Sequence, residues 1–320
     1  MPTSKQLKLL VTAFYENDNE KFQTIALQIA AHESRIGHSK FAKELRDLVQ
    51  NSTKTLNRIN TLSDENVDFF EFSLENIKLS QLITESVHKE RINKILLEYL
   101  QREKLRDYGL SNRRKILLEG APGTGKTMTA SIIASELKLP LYKVQMHNLV
   151  TKYMGETSSK LRKIFDSINN TQGVYFFDEF DAIGTERGND SDVGEMRRVL
   201  NSFLQFIEQD NSSSIIIAAT NNSQLLDYAL FRRFDDVIHY SLPTKTEIKL
   251  LYKNRLTEFV TKLNGEMEEI VDASISLSHA EISRICDDVL KDSLLENRNI
   301  NKEVVLRIID QRKKIYKIKK

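Results

Sequence analysis

The chain is 320 residues long and 40% hydrophobic, enough apolar material for the cores of two or three packed units, so it is globular rather than disordered or fibrous. Its 47 Lys plus Arg nearly balance 45 Asp plus Glu, and a formal net charge of +2 excludes a chain-wide attraction to nucleic acid or to an anionic membrane. The sole cysteine, Cys286, excludes an intrachain disulfide and a cysteine-built metal centre. No window approaches a membrane-spanning length, so no membrane contact is expected and the cytoplasm is the expected location.

In chain order, residues 1–60 read as a helical domain of short amphipathic helices at Lys5 to Tyr15, Glu20 to Glu33 and His38 to Gln50, with breaks at Asn17 to Asn19 and at Gly37. Residues 51–68 are rich in Asn, Ser, Thr and Asp, and a linker is expected over 61–79. Phe69, Phe70 and Phe72 at its end form an aromatic cluster suited to core packing or docking. An α/β domain is expected over 80–243: a helix through Leu100, then strands at 115–119, 141–145, 173–178, 214–219 and 237–240. Most of these strands are continuously apolar, as strands covered on both faces of a parallel sheet flanked by helices must be. After Pro243 no strand pattern remains, and 244–320 reads as a helical lid.

Residues 120–127 read Gly-Ala-Pro-Gly-Thr-Gly-Lys-Thr between a strand and a helix. Glycines at 120, 123 and 125 let backbone N–H groups curl around an anion, and the helix N-terminus adds partial positive charge. Lys126 is placed to reach the β- and γ-phosphates, and the Thr127 hydroxyl is placed for Mg²⁺. About fifty residues on, Val-Tyr-Phe-Phe-Asp-Glu ends a buried strand in two carboxylates. Asp178 suits Mg²⁺ and Glu179 suits polarising the attacking water, although such acid pairs also serve as caps or surface charges. Asn221 ends the strand Ile-Ile-Ile-Ala-Ala-Thr and is a candidate for the γ-phosphate and the water, or a turn residue. Arg232 and Arg233 could stabilise charge on the transferring phosphoryl group, or pair with Asp235 or Asp236.

Taken together, these motifs over 115–243 resemble the AAA family of ATPases, within the AAA+ class, and look most like its compact single-ring bacterial members. GAPGTGKT matches Walker A, VYFFDE Walker B, AATN the sensor-1 strand and FRRFDD the arginine-finger segment. The resemblance implies a P-loop NTPase core that binds ATP and Mg²⁺, with nucleotide contacts at Gly120, Pro122, Gly123, Thr124, Gly125, Lys126, Thr127 and Met128. Thr127 and Asp178 are the implied metal residues, and Glu179, Asn221, Arg232 and Arg233 the implied catalytic ones. A homo-oligomeric ring, usually hexameric, with nucleotide at subunit interfaces is also implied.

Ser278-His279-Ala280-Glu281-Ile282 resembles the family's S-G-A-D-L signature, with His279 in place of the glycine, as a helix-entry residue or a nucleotide contact. Ala280 stands where other AAA+ clades carry a sensor-2 arginine. Lys152-Tyr153-Met154-Gly155 resembles the pore loop of polypeptide-threading rings, and 184–194 is a candidate for a second central loop. The expected function is an ATP-driven ring that remodels or unfolds a polypeptide client, with a separate subtilisin-like serine protease as a possible partner. The alternatives are a nucleic-acid loader that uses the basic stretch from Arg312 to Lys320, and a nucleotide-controlled scaffold.

Overall fold

A computed structural model describes residues 4–15, 19–46, 69–146, 156–180, 190–221, 231–256, 266–296 and 300–317. Two compact units divide the chain at residues 65 and 66. In the first, α1 (Ser4–Tyr15), α2 (Asn19–Arg35) and α3 (39–46) bury Ala13, Ile25 and Ile29 with Leu10, Phe22 and Leu45.

The second unit is built on a six-stranded sheet, order β1-β3-β4-β5-β2-β6. The strands are β1 (Phe70–Ser73), β2 (Lys115–Gly120), β3 (Leu141–Val144), β4 (Val174–Phe177), β5 (Ile215–Thr220) and β6 (Asp236–Tyr240). All pairs are parallel except β1 with β3, so the expected parallel sheet carries one antiparallel edge strand. That edge strand lies inside the segment expected as linker. Its Phe70 is buried edge-on against Tyr142 and Tyr175, so Phe69 and Phe70 of the aromatic cluster are core residues, while Phe72 is half-buried against Tyr142.

Every residue of β4 and β5 is buried, as their unbroken apolar sequences require. One face of the sheet packs on α4 (Ser86–Leu100) and α6 (Lys126–Glu136), through Ile92, Ile95, Ile132 and Ile133 against Ile116, Phe176 and Ile217. The other face packs on α7 (Glu156–Asn170) and α8 (Asp190–Gln209), where Phe177 stacks on Phe165 and meets Phe203 edge-on. A short helix, α5 (Arg102–Asp107), follows α4.

The lid is α9 (Lys245–Arg255), α10 (Met267–Ser274), α11 (His279–Glu296) and α12 (Lys302–Lys317) around Ile248, Tyr252, Ile270, Ile285 and Val289. Thr244 and Glu247 cap α9 reciprocally just after Pro243, where the strand pattern stops. Cys286 is fully buried here, and burial pushes its thiol up to about 12, so it acts as a small apolar filler. Among the described residues no helix is long and apolar enough to cross a membrane.

Candidate functional site

Strand β2 enters the cradle at Gly120, whose φ of 146° and position opposite Tyr240 leave no room for a side chain. A Cβ there would lie 2.1 Å from the Tyr240 carbonyl oxygen. Gly123, with φ 75°, turns the loop against the lid; a Cβ on it would fall 2.7 Å from Ser278 Oγ and 2.9 Å from the Ala280 Cβ. Thr124 Oγ1 donates to the Ala121 carbonyl at 2.8 Å, tying the loop across itself. Gly125, also left-handed, leads directly into α6, whose first N–H groups therefore face the cradle.

Four of the expected site residues converge at the carboxyl ends of β2, β4 and β5. Lys126 is 6% exposed, and its Nζ donates to the Gly120 carbonyl at 2.6 Å, the Ala121 carbonyl at 3.0 Å and Asn221 Oδ1 at 2.8 Å. A cation is thus held between the loop and the end of β5. Thr127 Oγ1 donates to Asp178 Oδ2 at 3.2 Å. A hydroxyl and a carboxylate oxygen side by side form the hard-oxygen donor set that suits Mg²⁺.

Glu179 follows Asp178 with φ 51°, a left-handed backbone that costs a non-glycine residue about 1 kcal/mol. Its N–H donates to Asp178 Oδ1 at 3.0 Å, and its side chain is exposed. Strand β4 therefore presents one carboxylate beside Thr127 and the next to solvent.

Arg232 and Arg233 stand apart from this group. They precede β6, whose first residue pairs with Ile116 and whose last pairs with Gly120, so they lie at the amino ends of the strands. About 15 Å of strand separates them from the cradle. Neither pairs with Asp235 or Asp236: Asp235 accepts the backbone N–H of Arg114 and of Lys115, and Asp236 pairs with Arg91 and Arg113. The expected pore loop 152–155 and residues 184–189 of the second central loop lie outside the described residues, while 190–194 of that expected loop form the start of helix α8.

The lid meets the cradle directly, since the Ala280 N–H donates to the Gly123 carbonyl at 3.0 Å. Ser278 and Glu281 cap α11 reciprocally and fix that entry. Neither ring nitrogen of His279 has a hydrogen-bond partner among the described residues. Burial holds its pKa below the ordinary value, with the Glu247 carboxylate opposing.

Residues 116–242 match the family model described as "ATPase family associated with various cellular activities (AAA)". An uncharacterized AAA family ATPase, y4kL of Sinorhizobium fredii, is 32% identical over 304 residues, 92% of this chain and 90% of the relative. The chain belongs to the AAA family of ATPases. As a family member it binds nucleotide and hydrolyses ATP. A putative 26S proteasome regulatory subunit homolog of Methanothermobacter thermautotrophicus is 33% identical over 205 residues, covering 63% of this chain and 54% of that relative. The crystal structure of the FIGL-1 AAA domain superposes with a TM-score of 0.60 at 20% identity, over 80% of this chain and 90% of that one, which shows the fold.

Three features of this AAA ATPase escaped the sequence motifs. Lys143 on β3 brings its Nζ within 3.7 Å of Asp178 Oδ2, and its one signal was a charge inside the apolar strand Leu-Tyr-Lys-Val. Tyr240 at the end of β6 meets Thr129 Oγ1 at 2.5 Å, and Thr129 in turn donates to the Gly125 carbonyl at 3.1 Å, bracing the cradle from behind. Burial raises the Tyr240 phenol to about 12, so it stays protonated and able to donate. Glu208 on α8 pairs with Arg233 at 2.8 Å, a partnership with no local sequence signal.

Proposed function

We propose that this AAA ATPase works as a ring with shared active sites, in which one copy supplies arginine to the nucleotide of the next, and that it spends ATP on remodelling a polypeptide client. The observation that carries the shared site is the placement of Arg232 and Arg233 at the far end of the sheet from their own cradle. An arginine side chain cannot cross about 15 Å of strand, so within one copy the pair cannot serve the bound nucleotide.

In this reading the cradle from Gly120 to Met128 holds the phosphates of ATP through backbone N–H groups, and Lys126 neutralises their charge. Thr127 and Asp178 would hold Mg²⁺, which when bound supplies charge compensation to the phosphate oxygens. Glu179, exposed beside them, orients and polarises the attacking water. Asn221, already bonded to Lys126, fixes the γ-phosphate end of the site. Arginine from the neighbouring copy stabilises the transition state with a planar, permanently charged fork.

The polypeptide client is supported by the resemblance of Lys152, Tyr153, Met154 and Gly155 to a threading loop and by the near-zero net charge. The name of the proteasome regulatory homolog points the same way. The basic C-terminal helix gives the nucleic-acid reading little help, because Arg312 pairs with Asp288 and Lys314 with Asp310. A hexameric state, a cytoplasmic site of action and a separate subtilisin-like protease partner belong to the same proposal; co-purification with the full chain tests the last.

The deciding experiment measures ATP hydrolysis across protein concentration for wild type, Glu179→Gln and Tyr153→Ala, with unfolded polypeptide and single-stranded DNA added separately. Cooperative turnover that depends on Glu179 and rises with polypeptide only when Tyr153 is present is the expected result. Turnover independent of concentration would remove the shared site, and stimulation by DNA alone would replace the client.

A further inference from the structure

The segment from Phe231 to Asp236 carries two adjacent arginines, and the fold treats them differently. Everything from Arg233 onward is pinned. Phe234 is buried, and the Asp235 carboxylate accepts two backbone N–H groups at 2.9 Å while its own N–H donates to the Lys115 carbonyl at 2.7 Å. Asp236, with a side chain 5% exposed, sits between Arg91 and Arg113, and Arg113 also pairs with Glu98 at 3.2 Å. Arg233 brings Nε to 2.8 Å from Glu208 Oε1 on the last turn of α8. Arg232 is exposed and has no ion-pair partner among the described residues.

We infer that the two arginines divide the work: Arg232 is the group that reaches the nucleotide of the next copy, and Glu208 is a positioning residue that holds Arg233 against its own subunit. The inference rests on the shared-site reading above. Neighbouring side chains on a tight turn diverge, so fastening one inward aims the other outward. The Glu208 side chain is 55% exposed against 29% for Arg233, so water screens the carboxylate end of the pair and the pair contributes little to folding. Its value lies in orientation. A misplacement of about 1 Å in a charge-stabilising group costs on the order of a hundredfold in rate, so a tether on the finger segment acts on turnover rather than on stability. It also keeps a second guanidinium from competing with Arg232 for the same phosphate oxygens.

The test compares kcat, KM, melting temperature and sedimentation for Arg232→Ala, Arg233→Ala, Glu208→Gln, Glu208→Asp and the Glu208→Gln/Arg233→Ala pair. Arg232→Ala is expected to lower kcat on the order of a thousandfold with KM little changed. Mixing it with Lys126→Ala, which lacks a working cradle but keeps its arginines, is expected to restore activity. Arg233→Ala and Glu208→Gln are each expected to lower kcat about tenfold, the pair no further, and Glu208→Asp is expected to recover most of it, all without a change in melting temperature. If Arg233→Ala costs as much as Arg232→Ala while Glu208→Gln leaves kcat unchanged, the division is wrong and Arg233 acts directly. If no mixture restores activity and wild-type turnover is independent of concentration, the shared-site reading itself falls and takes the inference with it.

Discussion

Gly120 and Gly125 both take left-handed backbone, yet they face different surroundings. A Cβ on Gly120 would strike the backbone carbonyl of Tyr240, which belongs to a paired strand and cannot move aside. A Cβ on Gly125 would meet Leu82 at 3.7 Å and Tyr240 Cε1 at 3.9 Å, ordinary contacts, and would carry only conformational strain. Gly125→Ala is expected to cost about 1 kcal/mol, and Gly120→Ala about 3 kcal/mol or more, both read by chemical denaturation. Equal costs would mean that β6 yields. His279 makes a second residue-level test. Its folded pKa lies below the ordinary 6.5 because burial disfavours the charged ring, and Glu247 is the charged group that opposes this. Below that pH the unfolded chain takes up a proton that the native ring resists, so this residue's contribution to stability falls as pH drops and levels off below the folded pKa. His279→Gln is expected to flatten the slope of melting temperature between pH 7 and pH 5 relative to wild type. Identical slopes would show that the ring is protonated as readily in the native state.

At the scale of elements, the end of β6 supports α6 from behind through Tyr240 and Thr129. Removing the phenol leaves Thr129 bonded to the Gly125 carbonyl, so no buried hydroxyl is orphaned. Tyr240→Phe is therefore expected to cost only about 1 kcal/mol, a fall of roughly 2 to 4 °C in melting temperature, with nucleotide affinity within about twofold of wild type. A larger loss of affinity would make the pair part of the cradle's own geometry. The elements that carry contiguous chemistry were legible in the sequence for a physical reason. A phosphate cradle needs successive backbone N–H groups, and a buried parallel strand needs an unbroken apolar run, so both are written in neighbouring residues. Strand β1 was missed because its four residues, Phe-Glu-Phe-Ser, are too short for their alternation to stand out beside a polar stretch. Glu208 with Arg233, Lys143 with Asp178, and Asp236 with Arg91 and Arg113 were illegible because the fold alone brings them together.

Across the molecule, the lid and the α/β core meet at the cradle itself. Ser278 and Glu281 lock the first turn of α11, and the Ala280 N–H donates to the Gly123 carbonyl, so the lid is fastened to the loop proposed to hold the phosphates. Any change in that loop on nucleotide binding or release must therefore move the lid or break this bond, which gives hydrolysis a mechanical route into the rest of the chain. The space between them is small, since a Cβ on Gly123 would already lie 2.9 Å from the Ala280 Cβ. An arginine at this position could not enter without parting the two surfaces. Ala280→Arg is expected to weaken binding of a fluorescent ATP analogue by about tenfold or more. The lid's own core lies around Ile285 and Val289, so the melting temperature is expected to stay within about 2 °C of wild type. Unchanged affinity would mean that the cradle closes on nucleotide without the lid, and the mechanical coupling would then have to run through β6 and Tyr240 instead.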